Sequence, residues 1–176
     1  MSPSRRKIKS FAKIERIVRS AKRAGKVIVT TNGCFDVIHT GHIATLEWAK
    51  NKGDILIVGI DSDVSVRANK GPRRPIIPAK ERAFVLASLS SVDYVFIFNG
   101  KSPIPWIKKI KPMIHVKGEG SEKDPRFPSE AKVIKDRGGK VAFAPKIRGK
   151  STTDIIGTIL KRYKKITAKL KNITAF

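Results

Sequence analysis

The sequence predicts an α/β fold: a single domain built on a five-stranded parallel sheet with helices on both faces. Three observations carry this. Short apolar or β-branched runs alternate with amphipathic stretches five times along the chain, the signature of strand–helix–strand units. Each apolar run is about one strand long and mostly continuous, which suits strands covered on both faces. The chain has 176 residues and a mass of 19.5 kDa, enough for one domain with a core that needs no staples.

Each element follows from its local pattern. Residues 8–24 place Ile8, Phe11, Ile14, Ile17, Val18 and Ala21 on one helical face, and Gly25 stops the helix. Val27–Thr31 reads as the first strand. Gly41–Lys52 reads as a helix ended by Asn51 and Gly53, and Ile55–Ile60 as the second strand. Residues 67–78 hold Gly71, Pro72, Pro75 and Pro78, so they read as a long loop with a functional purpose. Ala79–Ser90 is predicted helical with Phe84, Val85 and Leu89 facing inward. Tyr94–Phe98, Met113–Lys117 and Val141–Ala144 are the third to fifth strands. Ser102–Ile110, Ser129–Asp136 and Thr152–Lys171 are the remaining helices, and residues 118–128 are a polar loop. In such a fold ligands bind beyond the carboxyl ends of the strands, so the loops that follow the strands should hold the chemistry.

Composition limits the function. Hydrophobic residues make up 40% and charged residues 30%, which excludes a disordered chain. No apolar stretch approaches the roughly 18 residues of a membrane span. The basic N-terminus lacks the apolar region of a signal peptide. One cysteine, Cys34, excludes an internal disulfide and points to a reducing, cytoplasmic setting. Lys and Arg total 38 against 14 acidic residues, net +24. Most of this excess belongs to the ends: residues 1–26 carry net +9, residues 146–176 net +8, and the middle 119 residues only +7. Terminal charge of this kind is often simple solvation.

The first strand leads into Thr31-Asn-Gly-Cys-Phe-Asp-Val-Ile-His-Thr-Gly-His42. Gly33 lets the chain turn and brings backbone N–H groups near an anion. His39 and His42 lie close to one helical turn apart, so both imidazoles can address one spot at a helix N-terminus. Gly41 between them removes a blocking side chain. Such a pair suits charge stabilisation on a transferring phosphoryl group. Near the other end, Ser151, Thr152 and Thr153 open the last helix, where hydroxyls and unpaired N–H groups make a phosphate cradle. Gly149-Lys150-Ser151 imitates the tail of a P-loop, but the required first glycine falls on Ala144.

Gly33-x-Phe35-Asp36-x-x-His39-x-Gly41-His42 resembles the signature of the nucleotidylyltransferase superfamily, in its cytidylyltransferase-like branch. Related branches place Pro where this chain has Val37. The Ser-Thr-Thr-x-Ile-Ile run from Ser151 resembles the family's second motif, with Lys146 or Arg148 as the cation before it. Lys70-Gly71, Arg74-Pro75, Pro78, Glu81-Arg82, Val92-Asp93 and Val116-Lys117-Gly118 resemble the sugar-phosphate adenylyltransferases that make ADP-heptose. That subgroup follows Lys-Gly with Gly-Asp-Tyr, whereas this chain has Glu119-Gly120-Ser121, a difference that bears on the acceptor. The likeness covers about residues 24–162. It divides the chain into a basic N-terminal helix (1–24), a Rossmann-like transferase domain (25–162) and a basic tail (163–176).

The resemblance implies nucleotidyl transfer from ATP, or from CTP, to a small phosphorylated acceptor, with Mg²⁺ accompanying the triphosphate. It gives His39, His42, Lys70 and Arg82 catalytic places. It assigns Asn32, Gly33, Cys34, Phe35, Gly41, Lys117, Gly118, Lys146, Ser151, Thr152 and Thr153 to the nucleotide, and Asp36 and Arg74 to the acceptor. Asp36 also fits a backbone-capping role. The sequence holds no dedicated metal cage, and the resemblance implies a homodimer. Two alternatives stay within the enzyme class: a cytidylyltransferase for glycerol phosphate or another polyol phosphate, and an adenylyltransferase for flavin mononucleotide. A basic nucleic-acid-binding protein on the same fold is the alternative outside it. Against that one, aromatics are 7% and do not cluster with the basic runs, so no base-stacking platform is evident.

Overall fold

A computed structural model describes residues 2–147, 149 and 151–164. The elements run α1 (Pro3–Lys7), α2 (Phe11–Arg23), β1 (Ile28–Gly33), α3 (Thr40–Lys50), β2 (Ile55–Asp61), α4 (Asp63–Lys70), α5 (Ala79–Ala87), β3 (Tyr94–Phe98), α6 (Ile104–Ile110), β4 (Ile114–Gly118), α7 (Phe127–Lys135), β5 (Lys140–Ala144) and α8 (Thr152–Arg162). All five strands pair in parallel, in the order β3-β2-β1-β4-β5. The fold is a Rossmann-like α/β domain. The chain steps outward from β1 to β3, then crosses over to β4, so the carboxyl ends of β1 and β4 flank the switch point.

Strand alternation divides the core in two. Val29, Leu56, Val58 and Val95 face α3 and α5. Ile28, Ile57 and Phe96 face α2, α6 and α7. Ile14 and Val18 of α2 belong to that second cluster, so this basic helix packs directly on the sheet. The segment before it is anchored too: Ile8 bridges Val95, and the Lys9 N–H donates to the Val95 carbonyl.

Three sequence expectations change. The N-terminal helix is two helices, α1 and α2, separated at residues 8–10. Residues 63–70, which overlap the start of the loop expected over 67–78, form α4, capped by Ser62, whose hydroxyl accepts from the Ser65 N–H. Helix α5 turns the small face of Ala83, Leu86 and Ala87 to the sheet and leaves Phe84 and Val85 each 40% exposed. Small side chains let the helix lie close on the strands, and Arg5 covers the Phe84 ring at 5.5 Å. The last helix is described to Arg162, and the stretch predicted to carry it to Lys171 lies outside the described residues.

Candidate active site

The loop after β1 is shaped by residues other than its glycine. Phe35 and Val37 take left-handed φ values of 49° and 47°, whereas Gly33 stays within the strand. A β-branched residue in that region stores strain, a feature that clusters at functional sites. The turn delivers His39 to the N-cap of α3. Its Nδ1 accepts from the Gly41 N–H at 3.1 Å, so its proton sits on Nε2. One turn on, the His42 ring stacks against His39 with centroids 3.8 Å apart and meets Phe35 at 5.3 Å. Burial holds the His42 imidazole at a pKa of about 4, helped by His39 and Lys70 and opposed by Asp36. It is therefore neutral at physiological pH. Its Nδ1 is buried with no hydrogen-bond partner.

The second motif meets the first. Thr152, the first residue of α8, donates its hydroxyl to the Asp36 carbonyl at 2.6 Å. Ser151 caps α8: its oxygen accepts from the Asp154 N–H and its hydroxyl donates to the Asp154 carboxylate. Thr153 is exposed in the first turn. Two helix N-termini thus converge on the β1 loop, where their unpaired N–H groups favour anions. Arg148 lies outside the described residues.

Three chambers with shared lining residues run along this edge of the sheet. The central one, about 240 Å³, is lined by Gly33, His42, Lys70 and Thr152 among others. It shares Asn32 and Lys70 with a chamber of about 140 Å³ reaching Asp61, Lys101, Lys117 and Arg126. On its other side it shares His42, Thr45 and Gly118 with a chamber of about 150 Å³ bordered by His39, Gly41 and Lys146. Beside Gly118 the space where a Cβ would stand is open.

Of the other expected site residues, Cys34, Asp36 and Arg74 line the central chamber, whereas Arg82 lines none of the three. Arg82 is 2% exposed. Its guanidinium donates to the carbonyls of Cys34, Ile77 and Asp61 and to the Asp63 carboxylate. The Asp36 carboxylate is buried too. It accepts from the Ile76 and Ile77 N–H groups and from Arg74 Nε at 2.6 Å. Burial pushes the Asp36 carboxyl up, but these three donors outweigh it and hold its pKa below the usual range. Cys34 is buried, and burial raises its thiol pKa. Lys117 pairs with Glu130 at 2.5 Å and lines the smallest chamber, away from the His pair. Sequence reading missed Asp61, Lys101, Arg126 and Glu130. Of these, Asp61, Lys101 and Arg126 fall in loops that follow predicted strands, whereas Glu130 falls within a predicted helix.

The profile of the cytidylyltransferase-like family matches residues 30–163, from β1 to just past α8. The chain belongs to the cytidylyltransferase-like family. Transfer of a nucleotidyl group is therefore the reaction class of this chain. The bifunctional protein HldE of Geobacter metallireducens is 43% identical over 162 residues, 92% of this chain and 33% of that protein. HldE of Nitratiruptor sp. is 44% identical over 155 residues, 88% of this chain and 32% of that protein. The chain thus spans about a third of the length of these relatives. Among solved structures it is similar to the lipopolysaccharide core biosynthesis protein of Thermoplasma volcanium, with a TM-score of 0.59 and 25% identity over 72% of this chain and 100% of the other. Pantoate-β-alanine ligase of Francisella tularensis, 18% identical with a TM-score of 0.59 over 80% of this chain and 67% of the other, shares the fold. No helix among the described residues is long and apolar enough to cross a membrane.

Proposed function

We propose that this cytidylyltransferase-like domain transfers AMP from ATP to the phosphate of a sugar phosphate such as heptose 1-phosphate and releases pyrophosphate. A phosphate oxygen of the acceptor attacks the α-phosphorus in line, the bond to the β-phosphate oxygen breaks, and pyrophosphate leaves. One arrangement carries the reading: the stacked His39–His42 pair at the start of α3 and Thr152 at the start of α8, tied together through the Asp36 carbonyl beside one cavity. Two neutral imidazoles and two helix N-termini offer donors where charge grows on the departing phosphates.

In this reading His39 Nε2–H and His42 meet the α- and β-phosphates, and the unpartnered His42 nitrogen is the orphan that a ligand satisfies. The start of α8, with Ser151, Thr152 and Thr153, takes the β- and γ-phosphates, with Lys146 at the rim of the nucleotide chamber. Gly118, open on that side, faces the nucleoside. Lys70 lines two chambers and so spans triphosphate and acceptor. Lys117 and Asn32, which the family resemblance gives to the nucleotide, serve the acceptor side in this reading, because they line the chamber that no histidine borders. Arg82, Asp36 and Arg74 act as positioning residues that fix the loops after β1, β2 and α4. No group of three His, Cys, Asp or Glu among the described residues could cage a metal. In this reading Mg²⁺ accompanies the triphosphate.

The substrate part of the proposal rests on the HldE relatives, 40–44% identical over this region. The test is a pyrophosphate-release screen that crosses the four nucleotides with heptose, glycerol and other sugar phosphates and flavin mononucleotide. Release with ATP and heptose 1-phosphate is the expected result. Release with CTP and glycerol phosphate instead would overturn the substrate assignment, and no release with any pair would overturn the proposal.

A further inference from the structure

His115 lies in the middle of β4, fully buried, and no sequence motif includes it. Its register partner across the β1–β4 pair is Thr30, whose hydroxyl stands 2.8 Å from His115 Nδ1. On the other side His115 Nε2 is 3.2 Å from Asn32 Oδ1. The same oxygen is 3.3 Å from Lys117 Nζ. Trp106 closes the flank, its ring 5.9 Å from the imidazole.

The directions of these bonds follow from which groups can donate. An ammonium only donates, so the Asn32 atom facing Lys117 must be its carbonyl oxygen. That oxygen accepts, so His115 Nε2 carries the imidazole proton. Nδ1 is then bare and accepts from the Thr30 hydroxyl. With its oxygen held by two donors on the protein side, Asn32 has its amide N–H groups as the donors left for the cleft. Asn32 lines both the central and the smallest chamber, so it stands at their junction. Burial, with Lys117 nearby, holds the imidazole far below its usual pKa, so this bond pattern persists across working pH. A buried imidazole is a costly filler for a sheet interior where an aliphatic side chain would pack without polar obligations.

We propose that His115 is a positioning residue for the transfer step: with Thr30 and Lys117 it locks the Asn32 carboxamide so that its N–H donors face the chamber junction and hold the acceptor's phosphate in line. This rests on the proposed function above. His115 touches no ligand itself.

The experiment compares His115→Leu and His115→Gln in the full chain. Leucine fills the site and donates nothing, whereas glutamine can return an N–H to Asn32 Oδ1. His115→Leu is expected to lower kcat at least about tenfold while the KM for ATP stays within about twofold, and His115→Gln to recover most of the loss. Added to Asn32→Ala, His115→Leu should cost nothing more, because both act on one carboxamide. Imidazole nitrogen NMR of the ligand-free wild type should show the neutral Nε2–H tautomer between about pH 5 and 8. Wild-type kcat in a folded His115→Leu variant, or an Nδ1–H tautomer, would overturn the inference. If His115→Leu does not fold, His115→Gln and the tautomer decide. A wild type that turns over no acceptor sinks the proposed function, whereas the tautomer reads the lock by itself.

Discussion

Arg82 shows how a cation beside an active site can be structural. Its guanidinium is 2% exposed and spends its donors on four acceptors. They are the Ile77 carbonyl at 2.8 Å, the Asp61 carbonyl at 2.9 Å, the Asp63 carboxylate at 2.7 Å and the Cys34 carbonyl. These acceptors sit on the loop after β1, the end of β2, the start of α4 and the loop before α5. Arg82→Lys keeps the charge but satisfies at most one or two of the four. Hydrogen bonds to a charged group contribute about 1.5–3 kcal/mol each, and breaking a buried ion pair costs about 3–5 kcal/mol. Allowing for a retained ammonium contact and some water entry, the variant should lose about 3–5 kcal/mol of unfolding free energy. For a domain of this size that corresponds to a fall in Tm of roughly 10–15 °C. Urea and thermal unfolding measure it directly, and turnover well below the new Tm should fall less than the stability predicts for a phosphate-binding cation. The reasoning is refuted if Arg82→Lys unfolds within about 1 kcal/mol of the parent while kcat drops about a hundredfold. That pattern belongs to a guanidinium in contact with substrate.

Three further outcomes are expected. His42→Ala should lower pyrophosphate release by about 10²–10³-fold, the range for losing a donor to developing charge, with unfolding free energy within about 1 kcal/mol of the parent. An unchanged rate would remove His42 from the reaction. Because His42 titrates near 4 in the folded chain and near 6.5 when unfolded, the unfolded state binds more protons between those values. Stability should therefore fall as pH drops from about 6.5 to 4, by about 2–3 kcal/mol from this residue alone. The difference in acid slope between wild type and His42→Asn in urea unfolding isolates that share, and equal slopes would contradict the burial of His42. Thr152→Val keeps the methyl packing but deletes the donor to the Asp36 carbonyl. It should cost about 1 kcal/mol of stability and raise the KM for ATP roughly tenfold. A KM unchanged in steady-state kinetics would detach α8 from the nucleotide.

What could be read in advance follows the range of the interactions. All five strands are visible as local apolar runs, and the His39–His42 and Ser151–Thr153 motifs are local spacings that fold into place at two helix starts. Helix α4 escaped because its interior holds only Val64, Val66 and Ala68 against five polar residues, and the Ser62 cap was its one clear signal. The inward face of α5 escaped for another reason: periodicity weighs large apolar side chains, whereas close packing on a sheet favours Ala83 and Ala87. The smallest chamber draws Asp61, Lys101, Lys117 and Arg126 from four separate strand ends and loops, and only the crossover from β3 to β4 brings them together. The burial of Arg82 was equally hidden, since three of its four acceptors are backbone carbonyls that have no letter in the sequence.

The same distinction bears on the excess of positive charge. The N-terminal 26 residues carry net +9 and looked like a solvated basic extension. Two of those lysines have structural tasks. Lys22 Nζ donates to the carbonyls of Ile110 and Lys111 at 2.9 and 2.5 Å, closing the C-terminus of α6. Lys7 Nζ donates to the carbonyls of Leu89 and Val92 at 2.9 and 2.7 Å, just beyond α5. Unpaired carbonyls give a helix C-terminus negative potential, so a cation there is both a hydrogen-bond donor and a favourable charge. With Ile8 on the β3 edge and Ile14 and Val18 in the core, these contacts make the basic segment part of the fold's outer wall. A nucleic acid is therefore not needed to explain why lysines stand at these positions, and a salt-dependent gel shift on the intact chain is the direct check on the remainder of the charge.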